Sequence, residues 1–166
     1  ASERLRYLQL SGQEIKDKDL PLEIRITPNE EAKTLTISDN GIGMTKEDLI
    51  ENLGTIAHSG SKAFIQRLAE SGDKKDLNLI GQFGVGFYSA FMVAEKVSLT
   101  THSYQPDAQG YRWESDGRGS YSISEEQDLP RGTVITLHLK DDAKEFANEY
   151  TIKRIIKQYS SFVPYP

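Results

Sequence analysis

The sequence predicts an α+β fold in which a mostly antiparallel sheet is combined with helices. The first observation is a pair of alternating stretches, 22–27 and 34–38, which are separated by a short turn as in a β-hairpin. The second is a series of strand patterns between residues 97 and 139, whose short connections favour antiparallel neighbours. The third is the stretch 152–159, in which apolar residues recur at helical spacing.

The chain opens with a helical pattern that leads into the hairpin. Residues 1–9 carry Leu5 and Leu8 among good helix formers. Because there is no initiating methionine and little room for a cap, we expect the chain to begin inside a helix whose first turns are missing. A polar connector follows over 11–20. A strand, a turn and a second strand are then predicted over 22–27, 28–33 and 34–38.

The second strand of the hairpin ends at a single carboxylate, Asp39, which is followed by Gly41 and Gly43. A carboxylate accepts hydrogen bonds and cannot donate them, and glycine lets another molecule approach the backbone closely. This combination suits a flat ring that carries an amine, such as adenine. Asp-Asn-Gly is also an ordinary turn sequence, and a calcium loop is disfavoured because its alternating carboxylates are absent. The ligand interpretation therefore depends on a second glycine cluster.

A helix is predicted directly after these glycines. Thr45 is a suitable N-cap, and Asp48 stands three residues later to complete a capping box. Met44 is placed to pack on Leu49 as a hydrophobic staple. Asn52 falls near the apolar side of this helix, where it is either a solvent-facing edge residue or a ligand contact. The apolar side comprises Leu49, Ile50 and Leu53.

The second glycine cluster follows a stretch in which the apolar residues show no clear periodicity. Residues 54–80 are predicted to form a mobile flap around a short helix at 62–70, although an ordinary surface excursion has a similar composition. The cluster 81–88 then leads into a helix at 89–93, where backbone N–H groups would form an anion site. It lacks both the lysine of a P-loop and the spacing of the dinucleotide fingerprint.

The remainder of the chain is predicted to be sheet followed by helix. Trp113 and the tyrosines are predicted to be packing residues, because no basic groove accompanies them as in a base-stacking platform. Strands are predicted over 97–103, 111–115, 121–124 and 133–139. A short helix is predicted over 143–150, and Thr151 is predicted to cap an amphipathic helix whose apolar residues are Ile152, Ile155, Ile156 and Tyr159. The two prolines in 164–166 are predicted to start a linker.

Composition disfavours several classes of protein. The chain has 166 residues, enough for one domain with a core, and is 37% hydrophobic and 27% charged, as globular domains are. Its net charge of −5 offers no overall basic field to nucleic acid or an anionic membrane. No apolar run approaches the ~20 residues of a membrane helix, and no signal peptide is visible. The absence of cysteine favours a reducing compartment, and the three histidines lack metal-ligand spacing.

Four stretches of the sequence carry a resemblance to a known family. They are Ser-Asp-Asn-Gly-Ile-Gly-Met-Thr (38–45), Asn-Leu-Gly-Thr-Ile-Ala (52–57), Ser-Gly-Ser-Lys-Ala-Phe (59–64) and Ile-Gly-Gln-Phe-Gly-Val-Gly-Phe-Tyr-Ser-Ala-Phe (80–91). Together they resemble the ATP-binding domain of the GHKL ATPases, which include the ninety-kilodalton heat-shock chaperones, type II topoisomerases, mismatch-repair ATPases and sensor histidine kinases. Their sequences look like those of the heat-shock chaperone branch. Within that branch the resemblance is closest to the mitochondrial and some bacterial members, and it extends over the whole chain.

The resemblance implies an architecture and a division of the chain. It implies a two-layer sandwich whose sheet is covered on one face by the helices that hold the nucleotide pocket, here without its first strand and helix. Residues 1–163 would be an N-terminal ATP-binding domain that is truncated at its start. Residues 54–80 would be a lid that closes over nucleotide, and 164–166 would start the linker to a middle domain.

The resemblance also implies a role for each residue that matches the family's motifs. Asp39 would accept the adenine amine, and Thr133 would support this recognition through water. Gly41 and Gly43 would let the base lie against backbone, and Met44 would cover it. Asn52 would contact the sugar–phosphate side, and Leu53 is a further implied ATP-binding residue. The phosphates would be surrounded by backbone N–H groups and one aromatic side chain, from Gly84, Val85, Gly86 and Phe87.

Some of the family's residues have no counterpart in this sequence. The general-base glutamate and the magnesium-binding asparagine would lie before Ala1, so we expect the chain itself to hydrolyse ATP negligibly, with no catalytic residue of its own. Magnesium would act only with ATP or ADP in the full-length protein. His58 stands where many members carry lysine, so the contact that this lysine would make between lid and phosphate has no lysine counterpart here.

The full-length protein is then expected to be a homodimeric, ATP-dependent chaperone of the stress response that assists the folding of client proteins. Ansamycin-type inhibitors are further expected ligands, whereas nucleic acid and membrane are not expected partners. The expected location is the bacterial cytoplasm, with the mitochondrial matrix as the alternative. Two other functions remain open at this point. One is the ATPase domain of a DNA topoisomerase or mismatch-repair protein, and the other is a co-chaperone-binding module without nucleotide.

Overall fold

The protein is described here by a computed structural model, which covers residues 2–54, 87, 89–160, 163 and 166. Six strands form one sheet, and every pairing in it is antiparallel. The strands are β1 Ile24–Asn29, β2 Thr34–Asp39, β3 Ala94–His102, β4 Tyr111–Ser115, β5 Tyr121–Glu125 and β6 Gly132–Leu139. Their order across the sheet is β1-β2-β6-β3-β4-β5. The predicted hairpin and the predicted α+β class are therefore confirmed.

The helical segments lie before, between and after the strands. They are α1 Ser2–Leu10, α2 Lys46–Leu49, a π-helical turn Ile50–Gly54 that continues α2, α3 Ala90–Val93, a 3-10 helix Asp141–Ala147 and α4 Glu149–Tyr159. The predicted capping box at the start of α2 is confirmed. The Asp48 backbone N–H donates to Thr45 Oγ1 at 3.2 Å, and Asp48 Oδ2 accepts from the Thr45 N–H at 2.9 Å.

The two faces of the sheet differ in polarity, because side chains alternate along each strand. One face carries a cross-strand row of large apolar side chains, formed by Ile26, Ile37, Ile135, Leu99, Trp113 and Ile123. The opposite face carries a polar row, formed by Thr27, Thr36, Thr136, Ser98, Glu114 and Ser122. Leu49, Leu53 and Ile152 from the helical segments join the apolar face in one hydrophobic cluster. The fold is thus a two-layer arrangement of sheet and helices.

The strand register brings three polar residues onto the apolar face at one end of the sheet. Asp39 on β2 is the cross-strand partner of Thr133 on β6, and Thr101 on β3 is the partner of Thr133 on its other side. These residues lie two positions beyond the row of Ile37, Ile135 and Leu99, so their side chains share its face. The core therefore ends in a polar row that contains Asp39.

Two predictions about the C-terminal helices are wrong. The segment predicted as a helix over 143–150 is a 3-10 helix that ends at Ala147. The following helix, α4, begins at Glu149, and its N-cap is Asn148 rather than Thr151. The Asn148 side-chain oxygen accepts from the Thr151 N–H at 3.1 Å, so it satisfies a free donor of the first turn.

The apolar side predicted for the helix after Met44 needs one correction. Leu49 and Leu53 are buried, as expected for residues four apart on a helix, but Ile50 is 46% exposed. Ile50 begins the π-helical turn, and its backbone N–H donates to the carbonyl groups of Lys46 and Glu47. The wider turn keeps the two leucines on the core and leaves Ile50 outside it.

Part of the predicted organisation lies outside the described residues. The flap predicted over 54–80 and the glycine cluster 81–88 fall there, except for Gly54 and Phe87. At the C-terminal end, the Pro166 carbonyl accepts from the Ile24 N–H at 2.8 Å, next to the start of β1. The linker predicted for 164–166 stays a prediction.

Candidate functional site

Asp39 is the last residue of β2 and is half-buried beside the turn that follows it. Its Oδ1 accepts a hydrogen bond from the Gly41 backbone N–H at 2.9 Å. Burial raises the pKa of the Asp39 carboxyl above its ordinary value, and the Gly41 N–H opposes this effect only in part. Within the described part of the chain, no hydrogen bond reaches the second oxygen, Oδ2. That oxygen can accept from a donor outside the protein.

Thr133 and Thr101 form a hydroxyl pair next to Asp39 in the cross-strand row. Their Oγ1 atoms lie 2.9 Å apart, and Thr101 Oγ1 also lies 3.1 Å from the Gly132 carbonyl oxygen, to which it can donate. Both side chains are buried. Asp39 and Thr133 line a small cavity of about 30 Å³, which has room for a water molecule. Asp39 and Thr133 thus border the same small space.

The turn from Gly41 to Met44 is held against the end of β3. The Met44 N–H donates to Thr101 Oγ1 at 3.0 Å, and the Tyr104 N–H donates to the Ile42 carbonyl at 2.8 Å. Gly43 has φ +64°, and a Cβ there would lie 1.8 Å from the His102 carbonyl oxygen. Only glycine fits this position, because a side chain would displace the backbone of β3.

The same turn is held from its other side by the start of β6. A Cβ on Gly132, at φ +122°, would lie 2.1 Å from the Asp39 carbonyl oxygen. Arg131 Nε donates to the Asn40 carbonyl at 2.9 Å. The Asn40 side chain is itself buried, with its Oδ1 accepting from the Glu23 N–H at 2.8 Å and its Nδ2 donating to the Pro21 carbonyl. The position of Asp39 is therefore determined by segments that are far apart in sequence.

A larger cavity of about 330 Å³ is lined in part by residues of the same turn. Small-molecule sites have volumes of roughly 300–1,000 Å³, so this space is large enough for part of a nucleotide. Three of the predicted site residues, Gly43, Met44 and Asn52, line it together. The other lining residues are Arg4, Ile42, Thr45, Asp48, Ser103, Tyr104 and Gln105.

Asn52 and the other predicted site residues differ in their surroundings. Asn52 is exposed, and its Nδ2 donates to the Asp48 carbonyl one turn earlier at 2.9 Å, so its amide has an internal partner. Leu53 is buried in the hydrophobic cluster at 5% exposure. Phe87 packs edge-on against Trp113, with ring centroids 5.6 Å apart, and Trp113 is fully buried as predicted. Gly84, Val85 and Gly86 lie outside the described residues.

Sequence reasoning missed three residues that hold the site, namely Asn40, Thr101 and Arg131. Alternation could have found Thr101, because it lies two residues after the inward-facing Leu99 on the same strand. No local signal identifies Arg131, whose partner Asn40 is 91 residues away in sequence. Asn40 was interpreted only as part of an ordinary turn.

Two features are absent from the part of the chain that the structure describes. That part contains no group of three or more acidic, histidine or cysteine side chains that could hold a metal ion. None of its helices combines the length and the apolar character that crossing a bilayer requires. The candidate site therefore consists of a half-buried carboxylate, buried hydroxyls and closely approached backbone.

Comparison with known proteins identifies the class to which this fold and site belong. Residues 18–128, more than half of the chain, match the family described as histidine kinase-, DNA gyrase B- and HSP90-like ATPases. The matched range includes the turn after Asp39 and the first five strands of the sheet, which is the antiparallel α+β fold of that class. The chain belongs to this ATPase family.

Individual relatives are similar over the whole chain. It is 83% identical over 166 residues to the chaperone protein HtpG of Desulfitobacterium hafniense (strain Y51), and 56% identical over 166 residues to that of Desulfotalea psychrophila. It is 49% identical over 167 residues to the TNF receptor-associated protein 1 homolog, mitochondrial, of Dictyostelium discoideum. All of this chain is covered in each case, but only 27%, 26% and 23% of the three relatives. The chain thus spans about a quarter of the length of the curated relatives it matches.

Proposed function

We propose that this chain is the ATP-binding domain of an ATP-dependent molecular chaperone that assists the folding of client proteins. Membership of the ATPase family and similarity to proteins named HtpG support this proposal. The observation that carries it is the half-buried Asp39 carboxylate, whose Oδ2 has no donor among the described residues although burial makes its charge costly. A ligand that donates to this oxygen would offset part of that cost.

Asp39 is the proposed acceptor for the exocyclic amine of adenine. Its Oδ1 is engaged by the Gly41 N–H, which leaves Oδ2 for the ligand. The cavity of about 30 Å³ beside Asp39 and Thr133 has room for a water molecule, which supports the role of Thr133 in water-mediated recognition. Gly41 and Gly43 would present bare backbone to the flat ring, and Met44 would cover it.

The sugar and phosphates would extend away from Asp39. Met44 and Asn52 line the cavity of about 330 Å³, which supports placing the sugar in this cavity. Leu53, which is buried in the hydrophobic cluster, remains a proposed contact as implied by the family motif. The backbone N–H groups of Gly84, Val85 and Gly86, with Phe87, remain the proposed phosphate contacts, as implied by the family motif.

The activity of the full-length protein is part of the same proposal. It would hydrolyse ATP with Mg²⁺, form a homodimer, close the segment 54–80 over the nucleotide, and act on client proteins under stress. Ansamycin-type inhibitors would compete for the adenine site. Similarity to bacterial HtpG proteins supports the cytoplasm as its location, and the mitochondrial relative supports the matrix as the alternative. The net charge of −5 and the names of the relatives favour a chaperone over a DNA topoisomerase.

Replacing Asp39 tests the proposal directly. Asp39→Asn keeps the shape of the side chain but removes the charged acceptor, and a hydrogen bond to a charged group contributes about 1.5–3 kcal/mol. We expect ADP affinity, measured by isothermal titration calorimetry, to fall by about ten- to a hundredfold. Asp142→Asn, an exposed carboxylate in the 3-10 helix, is the control and should bind ADP as the original protein does. Equal ADP affinity in all three proteins would refute the proposed role of Asp39.

A further inference from the structure

Arg131 lies between the candidate site and the polar connector that precedes β1, and only 1% of its surface is exposed. Its guanidinium donates to backbone carbonyl groups of two separate segments, the connector and the turn after Asp39. The accepting carbonyl groups are those of Asn40 at 2.9 Å, Lys16 at 2.8 Å, Asp17 at 2.6 Å and Leu20 at 3.3 Å. One side chain thus joins two segments that are not adjacent in sequence.

The burial of this charge is costly, which argues against a role in packing alone. Within the described residues, the guanidinium of Arg131 forms no ion pair. Burial lowers its pKa, and the nearby charge of Asp17 opposes this only in part. An apolar residue of similar size would fill the space without that penalty. What a guanidinium adds is a rigid planar fork of donors, which fixes the positions of its acceptors relative to one another.

The backbone around Arg131 reinforces the same connection. Its own N–H donates to Asp17 Oδ2 at 3.0 Å, and Lys16 Nζ donates to the Leu129 carbonyl at 2.7 Å. The next residue, Gly132, touches the Asp39 peptide so closely that no side chain fits between them. Arg131 and Gly132 therefore hold consecutive peptide groups, those of Asn40 and Asp39, from neighbouring positions.

We propose that Arg131 is a positioning residue for base selection, which holds the Asn40 peptide so that the Asp39 carboxylate is aimed at the amine of adenine. This inference rests on the proposed function, because it assigns Arg131 a part in the same adenine site. It predicts that Arg131 determines the preference for adenine over hypoxanthine, which carries a carbonyl oxygen in place of the amine. A carboxylate aimed at that atom favours a donor and disfavours an acceptor.

The test compares ADP with inosine diphosphate by calorimetry in the original protein and in Arg131→Lys. Lysine keeps the charge, but a single ammonium group cannot reach all four carbonyl groups of the guanidinium fork. We expect Arg131→Lys to bind ADP about tenfold more weakly or worse, and its preference for ADP over inosine diphosphate to fall towards one. Arg131→Met should show the same change more strongly where it folds, as checked by thermal unfolding.

Leu139→Ala is the matched control for a loss of stability. Leu139 is buried at the far end of β6, seven residues from Gly132, and its truncation should destabilise the protein without touching the connection to Asn40. Its preference for ADP over inosine diphosphate should equal that of the original protein. If folded Arg131→Lys also keeps the original preference, Arg131 is merely structural and the inference is overturned. If the original protein itself does not prefer ADP, the proposed function fails instead.

Discussion

The Asp39 carboxylate lies half-buried at the end of β2, and burial raises its pKa from the ordinary 3.8. A raised pKa in the folded protein means that folding disfavours the ionised form of this side chain. The same ionised form is the acceptor that the proposed adenine site needs. At the scale of this residue, stability and ligand binding therefore make opposite demands.

Asp39→Asn should stabilise the protein without nucleotide at pH 7. The folded state holds the Asp39 proton more tightly than the unfolded state, so stability is lost as the pH rises from 3.8 through the raised pKa. The variant cannot ionise and keeps that stability. Urea unfolding from pH 3 to 8 should show that the free energy of unfolding of Asp39→Asn exceeds that of the original protein by an amount that increases with pH.

The exposed Asp107→Asn is the control for this experiment, because a carboxylate that stays in water loses no hydration on folding. It should show no such increase. If the free energies of unfolding of Asp39→Asn and the original protein differ by the same amount at every pH, the explanation from burial is contradicted.

The sequence could predict only those site residues whose signals lie within a short stretch of the chain. Asp39, Gly41 and Gly43 stand together in one short motif, and the structure places them in a single turn. The contribution of Arg131 depends on carbonyl groups that are 91 to 115 residues away in sequence. The spacing of residues along a single sequence does not indicate such contacts. The positive φ of Gly43 and the close approach of its neighbours likewise become explicable only once β3 lies against it.

At the scale of the element, the helix α4 shows where pattern reasoning succeeds and where it fails. Its apolar period predicts the helix itself, and Ile152 is buried as expected. The predicted apolar side is wrong for Ile156 and Tyr159, which are 36% and 74% exposed. Its start was misplaced, because Thr151 and Asn148 are both acceptable caps by composition, and only backbone geometry distinguishes them. Asn148 has extended dihedral angles, φ −89° and ψ 127°, whereas Thr151 already lies inside the helix.

Asn148→Ala should lower the free energy of unfolding by about 1 kcal/mol, since it removes the acceptor for the Thr151 N–H. Thr151→Ala is the matched change at the position predicted from the sequence, and it should cost clearly less. Asn148→Asp retains the acceptor and should restore most of the stability. Urea unfolding of the three variants decides between the two caps, and a larger cost for Thr151→Ala would contradict the observed one.

At the scale of the whole molecule, the sheet has one polar face and one face that packs on helices. The alternating patterns predict the strands and their antiparallel relation, and all six predicted strands agree with the observed strands to within three residues at each end. The sequence could not predict that β6, the last strand, inserts between β2 and β3. That order depends on the pairing of β6 with β2, which are about 100 residues apart in sequence, and no local pattern provides a signal for it.

Amide hydrogen exchange should reflect this order. β6 is paired on both edges, by β2 and β3, whereas β5 is paired only by β4 within the described part of the chain. The amides of β6 and β3, at the centre of the sheet, should therefore exchange slowest, and those of the two edge strands, β1 and β5, fastest. NMR-detected exchange at single residues measures this, and equal protection of β5 and β6 would contradict the strand order.

The alternation along β2 has a consequence for how this site can change in evolution. Leu35, Ile37 and Asp39 all point to the helical layer, and Ser38 points away from it. Deleting or inserting a single residue within β2 would turn Asp39 outward and bring a neighbour into its place, even if every pairing re-formed. The proposed recognition of adenine by Asp39 therefore depends on an unchanged side-chain alternation in β2. Substitutions would alter it gradually, whereas a change in strand length by an odd number of residues would remove it in one step.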